Sequence, residues 1–473
     1  MAERLVDRVL VLGWDGLRPD LVAPERTPNL CRLIERGVLW LGSTAAFPSE
    51  TRPNNATIGS GCYPGRHGIT ANHMLVPEAI PDGPFDSGRP DHLLRLEQRL
   101  GRLVAVPTLG ATLARHGLAM AAIGSGSPGQ TLLQNPDPAG GWVLNPGLTR
   151  PDELGLAIPL RLGAIPIRGA GQTVGAIDDY LIRAACEYVQ PELDPAVLVL
   201  WSAEPDVSLH RHGLGSPEVE AAIRTNDARL GRILDQALDP ARRTAVLFLS
   251  DHGHTTIKGR LDLAAELVRA GLKESAGSRD AVAVDAGIRL APSAVERLPR
   301  LVAWLREQPW CGPLFLRDDR WAELGGLPGA LPVSTLWGGA VGPWVPDVQF
   351  SCAWDDEPNE RGVPGRTYVT SPTGTTVSSH GSLCRRDMRN VLALAVPGGR
   401  EGLSVEVPAG LVDVAPTLLR LLGIAPPAEM QGRVLEEALS GREPPVEREP
   451  LLEERWGSLI RRRVGATSYV SVE

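Results

Sequence analysis

The sequence predicts an α/β fold: a doubly wound, mostly parallel central sheet with helices on both faces, plus an inserted cap subdomain. Three observations predict it. Apolar runs at 7–13 (DRVLVLG), 196–202 (AVLVLWS) and 244–250 (TAVLFLS) have the length and continuous hydrophobicity of strands buried on both faces. Helical stretches alternate with these runs, as crossover units of a parallel sheet require. Each run ends close to an acid: Asp15, Asp206 and Asp251. Ligands of open α/β sheets sit beyond the carboxyl ends of the strands. A strand-tip acid also suits the simpler role of capping the next helix.

In chain order, TPNLCRLIERG (27–37) reads as a short helix, with Thr27 as N-cap, Pro28 in the first turn and Gly37 as the stop. Residues 75–106 carry Pro, Asp and Gly with weak periodicity and read as a loop excursion. PTLGATLARHGLAMAAIGS (107–125) is a helix followed by a strand. Residues 126–172, rich in Gly and Pro, read as a second excursion near the site. GQTVGAIDDYLIRAACEYV is a helix. SPEVEAAIRTNDARLGRILDQAL (216–238) is an amphipathic helix with Ser216 as N-cap, Pro217 first inside, and Glu218 and Glu220 at the positive end of the dipole. From about 256 to 375 the pattern shifts to helices (262–271, 293–307), short strands and a Pro/Gly/Trp-rich run. NVLALAVPG then returns as a strand, and LVDVAPTLLRLLG (411–423) as a closing helix. The expected division is 1–255 with 376–440 as the main α/β domain, 256–375 as an inserted cap or lid, and 441–473 as a charged C-terminal tail.

Composition narrows the function. A net charge of −8 offers no partner for a nucleic-acid polymer. The six cysteines are scattered without a CxxC pair and read as buried apolar residues. No window approaches the roughly 20 apolar residues of a membrane span. MAERLVDRVLVLGWDG enters a strand without a leader-like apolar segment, so a cytoplasmic enzyme is the expectation.

The densest chemistry lies in FPSETRPNNATIGSGCYPGRHGITAN (47–72). Ser49 and Thr51 offer hydroxyls at the start of a helix, whose free N–H groups attract an anion. An ordinary N-cap is the alternative. Asp206 and His210 are spaced i, i+4, so on a helical turn both face one point. His212 is the rival donor if that segment is a loop. Asp251 and His252 are adjacent, and His380 sits among small residues in SSHGS. Three carboxylates, three imidazoles and a hydroxyl are what a two-metal phosphoryl-transfer site needs.

In this order the stretches resemble the alkaline phosphatase superfamily. Within it they are most similar to the nucleotide pyrophosphatases/phosphodiesterases and their bacterial relatives. WDGLRPD with TPNL, the 47–72 stretch, EPDVSLHRHG, LSDHGH, SSHG and VDVAPTLLRLLGIAPP carry the resemblance across residues 10–430. It implies an alkaline phosphatase-like fold and two Zn²⁺ ions. One would be held by Asp15, Asp251, His252 and the Thr51 hydroxyl, the other by Asp206, His210 and His380. Mixed carboxylate and imidazole donors suit zinc better than Mg²⁺, with Mn²⁺ or Fe²⁺ as alternatives, and such ions stand about 4 Å apart.

The resemblance also makes Thr51 the nucleophile of a phospho-threonine intermediate and Asn72 the amide that binds a phosphoryl oxygen. The substrate class is a small-molecule phosphate ester or phosphonate. The expected activity is that of a two-metal phosphodiesterase or nucleotide pyrophosphatase, with a diester preferred. A phosphonoacetate hydrolase-like enzyme, a phosphomonoesterase and a metal-binding pseudoenzyme are the alternatives. The sequence departs from the family in four places. Arg52 follows the nucleophile where relatives carry an apolar or aromatic residue, and is expected to reach an anionic or polar group of the substrate. His254 stands where many relatives have Met. Residues 75–170 do not show the aromatic base-stacking pocket of the nucleotide-cleaving members. PNN and HRHG are similar to the phosphonoacetate hydrolases. The sulfatase CxPxR signature is absent near Thr51.

Overall fold

Strand Arg8–Trp14, buried along its whole length, lies at the centre of a nine-stranded sheet in the computed structural model. The structure describes residues 3–168, 172–236, 238, 241–339, 341–439 and 452–472. Side chains of the central strand alternate between faces. Val9 and Val11 enter one core with helices Leu109–Arg115 and Val414–Leu421. Leu10 and Leu12 enter the other with helices Pro28–Glu35, Val174–Ala184 and Pro217–Gln236. Helices therefore cover both faces, as the continuous apolar runs predict.

The strands run in the order Leu403–Val405, Val38–Trp40, Leu392–Ala395, Thr244–Leu249, Arg8–Trp14, Val197–Ser202, Met120–Gly124, Gly141–Asn145 and Leu148–Arg150. The five from Thr244–Leu249 to Gly141–Asn145 are mutually parallel. Leu392–Ala395 and Leu148–Arg150 pair antiparallel to their inner neighbours. The strands that end near Asp251, Asp15 and Asp206 are thus adjacent and point the same way, which brings three acids to one edge.

The two expected excursions are more ordered than the sequence suggests. Within 75–106, helix Pro90–Leu100 buries only Leu93 and Leu96 and stops at Gly101, which has φ +71. Two inward positions are too few to show a period. Within 126–172 lie helix Pro128–Gln134, the last two strands of the main sheet and helix Leu154–Leu162. Short lengths bounded by Gly and Pro hide them.

Residues 255–379 contain two smaller sheets. One joins five strands between Ala281 and Cys352 over its own apolar core. The other joins Thr255–Arg260, Trp354–Pro358, Pro364–Val369 and Ser378–Ser379. This segment meets the start of the 47–72 stretch where buried Trp337 donates its indole N–H to Phe47 O at 2.7 Å. Much of the expected tail, 440–451 and 473, lies outside the described residues. Residues 452–472 form a three-stranded antiparallel sheet whose Leu459, Val464, Tyr469 and Val470 pack beside Phe47 and Tyr63. Among the described residues no helix is long and apolar enough to cross a membrane.

Helix Thr51–Ser60 is buried almost throughout and packs on helix Pro128–Gln134. The contact needs a glycine. A Cβ on Gly59 would lie 2.7 Å from Gln134 O and 2.8 Å from Leu133 O, both backbone atoms. Gly59→Ala should therefore lower unfolding free energy by about 1–3 kcal/mol in denaturant titrations. A variant as stable as the wild type would mean that the helices do not approach this closely.

Candidate active site

The central strand delivers Asp15 into a buried turn. Gln130 Nε2 donates to Asp15 Oδ2 at 2.9 Å, and Trp201 Nε1 lies 3.4 Å from the same oxygen. Gly16 follows with φ +71, and its N–H donates to Asp251 Oδ1 at 3.2 Å. The neighbouring strand leads to helix Asp206–His212, where His210 Nε2 stands 3.3 Å from Asp206 Oδ1. The i, i+4 spacing thus meets as expected. His212 belongs to neither of the two groups of donor atoms found among the described residues. His380 arrives from strand Ser378–Ser379, and its Nε2 is 3.6 Å from Asp206 Oδ1.

Thr51 opens its helix, and its Oγ1 lies 3.1 Å from His252 Nε2. Ser49, the rival hydroxyl, is fully buried and occupied: it donates to Ser382 O at 2.7 Å and accepts from Gly381 N at 3.1 Å. The two asparagines of PNN also have structural work. Asn54 Nδ2 donates to the carbonyls of Ala46, Pro48 and Glu50. Asn55 Nδ2 donates to Thr51 O at 2.8 Å and Asp251 Oδ2 at 3.3 Å. Arg52 N donates to Asn72 Oδ1 at 3.1 Å, so one free N–H of the helix start is already satisfied. That bond leaves the Asn72 amide nitrogen as the donor facing outward.

The structure gathers seven of the sequence-predicted residues at this edge: Asp15, Thr51, Asp206, His210, Asp251, His252 and His380. The sequence reading leaves out His254, fully buried, with Nε2 2.9 Å from Asp206 Oδ1. It also leaves out Gln130 and Glu50. Glu50 accepts the Asn72 N–H, and burial with help from Asp285 raises its carboxyl to about 7. Arg52 turns toward Asp86, with Nη2 3.4 Å from Oδ1, on a rim shared with His73 and Asp285.

Electrostatics set this edge apart. Burial raises the Asp15 carboxyl, and the Asp206 charge adds to it. Burial and then Asp15 raise Asp251 well above the usual range. Burial opposes ionisation of Asp206 as well, yet His210, His254 and His380 hold it well below that range. Burial lowers His252, but Asp251 and Asp15 outweigh it and lift the imidazole to about 10. A proton is thus drawn to the place where a cation would relieve the acids.

The donors fit metal ions on geometry too. Asp15 Oδ1 is buried without a hydrogen-bond partner, and His252 Nε2 lies 3.3 Å away. Donors around one tetrahedral ion with bonds of about 2.0–2.1 Å stand about 3.3 Å apart. His252 Nε2 to Asp251 Oδ2 is 3.6 Å, and Asp206 Oδ1 to His210 and His380 is 3.3 and 3.6 Å.

Comparison with known proteins places the chain in a family. The profile of the type I phosphodiesterase / nucleotide pyrophosphatase family matches residues 9–298. An uncharacterized pyrophosphatase/phosphodiesterase of Schizosaccharomyces pombe is 44% identical over 69 residues, which is 15% of this chain and 14% of the relative. Mouse bis(5'-adenosyl)-triphosphatase is 37% identical over 67 residues, 14% of this chain and 15% of the relative. These matches span only about a seventh of those relatives' length. Murine ectonucleotide pyrophosphatase/phosphodiesterase 5 superposes with a TM-score of 0.60 at 17% identity, covering 92% of this chain and all of the other. An inactive form of that protein solved in complex with AMP superposes with a TM-score of 0.61 at 17% identity and the same coverage. At that identity the likeness concerns the fold. With the profile covering more than half of its length, the chain belongs to the type I phosphodiesterase / nucleotide pyrophosphatase family.

Proposed function

We propose that this chain is a two-zinc phosphodiesterase that transfers the phosphoryl group of a small-molecule diester to Thr51 and then to water. The observation that carries the reading is the position of Thr51 Oγ1: at a helix start, 3.1 Å from His252 Nε2, by the buried Asp15 and Asp251 and the half-buried Asp206. Asp15, Thr51, Asp251 and His252 would hold one ion, and Asp206, His210 and His380 the other. Bound there, the metals neutralise developing negative charge and lower the pKa of an attached hydroxyl.

The residues supply the rest. The Thr51 oxygen attacks phosphorus, the bond to the leaving alcohol breaks, and that alcohol departs with a proton. Water then cleaves the Thr51–phosphorus bond, which restores the hydroxyl and releases the monoester. The Asn72 amide nitrogen donates to a phosphoryl oxygen, and Glu50 fixes Asn72 through its backbone N–H. Asp285, at φ +49 in the tip between strands Ala281–Val284 and Gly287–Leu290, accepts from His73 N at 3.1 Å. Through this contact the 256–375 insertion forms one wall of the substrate cleft. A neutral amide, with Asp86 and Asp285 on the rim, favours a singly charged diester over a dianionic monoester.

Chelation should remove two equivalents of zinc per chain by elemental analysis and lower the unfolding temperature, since the buried acids lose their counter-charge. One equivalent or none in active protein would refute the two-ion reading.

Thr51→Ala should abolish hydrolysis of bis-p-nitrophenyl phosphate and leave metal content largely intact, whereas Ser49→Ala should keep turnover. The reverse result would place the nucleophile at Ser49. Wild-type turnover of the diester should exceed that of p-nitrophenyl phosphate.

Arg52→Ala should raise KM for a diester with an anionic tail several-fold and barely alter kcat for the neutral aryl diester, because Asp86 already offsets part of the arginine charge. Selective collapse of monoester hydrolysis in this variant would instead mark an arginine clamp of a phosphatase.

A further inference from the structure

His254 lies close enough to Asp206, His210 and His380 for all four to share one ion, as their donor atoms fall within 4.8 Å of one another. The hydrogen bonds separate it from the others. His210, His252 and His380 each turn Nδ1 to a backbone carbonyl: Ser378 O at 2.8 Å, Gly253 O at 2.9 Å and Ser49 O at 2.8 Å. A carbonyl only accepts, so Nδ1 carries a proton and Nε2 is the atom turned to the site, where a cation would displace any second proton. This is the wiring of an imidazole that ligates a metal.

His254 is wired the opposite way. Its Nδ1 is buried and has no hydrogen-bond partner. A proton there would be an unpaired buried donor, and Nε2 would set a lone pair against a carboxylate oxygen. With the proton on Nε2, the ring donates to Asp206 Oδ1 at 2.9 Å. That distance is the usual N–H···O length and is shorter than the spacing of two donors around one tetrahedral ion.

The surroundings hold the pair in place. A Cβ on Gly16 would come within 3.2 Å of both Asp206 Oδ1 and His254 Cδ2. Buried Arg18 donates to His254 O at 3.2 Å.

We propose that His254 is a positioning residue, whose Nε2–H holds Asp206 Oδ1 and commits that carboxylate to the His210/His380 side of the site. The proposal rests on the two-metal reading above. Its consequence follows from the placement of Asp206, which also lies within reach of Asp15 and His252. A carboxylate shared between two groups needs an outside contact to choose between them, and such contacts are worth roughly 10–100-fold in metal affinity.

The test loads the full chain with Co²⁺ and compares wild type with His254→Met, which cannot donate, and His254→Gln, which can. Affinity is read by chelator competition and coordination from the visible Co²⁺ absorption. His254→Met should weaken one of the two sites roughly 10–100-fold with the absorption band unchanged in shape, and His254→Gln should recover most of the loss. A changed band in both variants, without recovery in Gln, would make His254 a ligand and overturn the proposal. Affinity unaffected by either substitution would overturn it as well. Wild-type protein that takes up no cobalt would instead overturn the metal-site reading on which it stands.

Discussion

Three carboxylates share one dry edge of the sheet, and their mutual repulsion is the constraint the rest of the site answers. Asp251, Asp15 and Asp206 follow three adjacent parallel strands, so the sheet itself forces them together. The groups that hold them are amides, an indole and imidazoles: Gln130, Asn55, Trp201, His252, His254 and His210. A fixed cation from lysine or arginine would neutralise the acids permanently. Amides, an indole and titratable imidazoles instead leave a charge deficit that an exchangeable cation can fill. Burial makes that deficit matter, because like charges interact far more strongly away from water.

The mostly parallel sheet and the seven residues gathered at its edge were legible because they depend on local signals. An apolar run announces a buried strand, and an acid or histidine just beyond it sits wherever the strand ends. What was not legible depends on contacts between distant segments. His254 lies in the LSDHGH stretch, yet nothing there tells a ligand from a donor to Asp206. That distinction is set by carbonyls of Ser49, Gly253 and Ser378 and by the space Gly16 leaves. Gln130 was hidden because 126–172 reads as irregular, although its strands extend the main sheet. The C-terminal sheet was hidden by charge. Arg461 and Arg462 face Glu454 and Glu453 across neighbouring strands, so a run that reads as a solvated tail is a cross-strand ladder.

Motif residues also divide their labour in a way that sequence spacing does not show. In PSETRPNN, Thr51 turns its hydroxyl to His252 beside the acids. Ser49 and Asn54 fasten backbone segments, Asn55 ties Thr51 O to Asp251, and Glu50 and Arg52 fasten Asn72 from opposite sides. The stretch is dense in polar residues because a buried helix start needs its donors and acceptors matched.

The bond from His380 Nδ1 to Ser49 O has a consequence for the order in which the chain becomes competent. Asp15, Thr51, Asp251 and His252 are all made before the insertion is synthesised. Asp206 and His210 are made by then too, but their partner His380 comes only after it. A growing chain therefore holds Asp15, Thr51, Asp251 and His252 early, while Asp206 and His210 wait for His380 until the polypeptide returns. Until then the Ser49 carbonyl lacks its imidazole, and the loop ahead of Thr51 lacks the Ser382 and Gly381 contacts that tie it down. Closure of this long-range contact, slow by its separation in sequence, is what converts a half-built pocket into a full one.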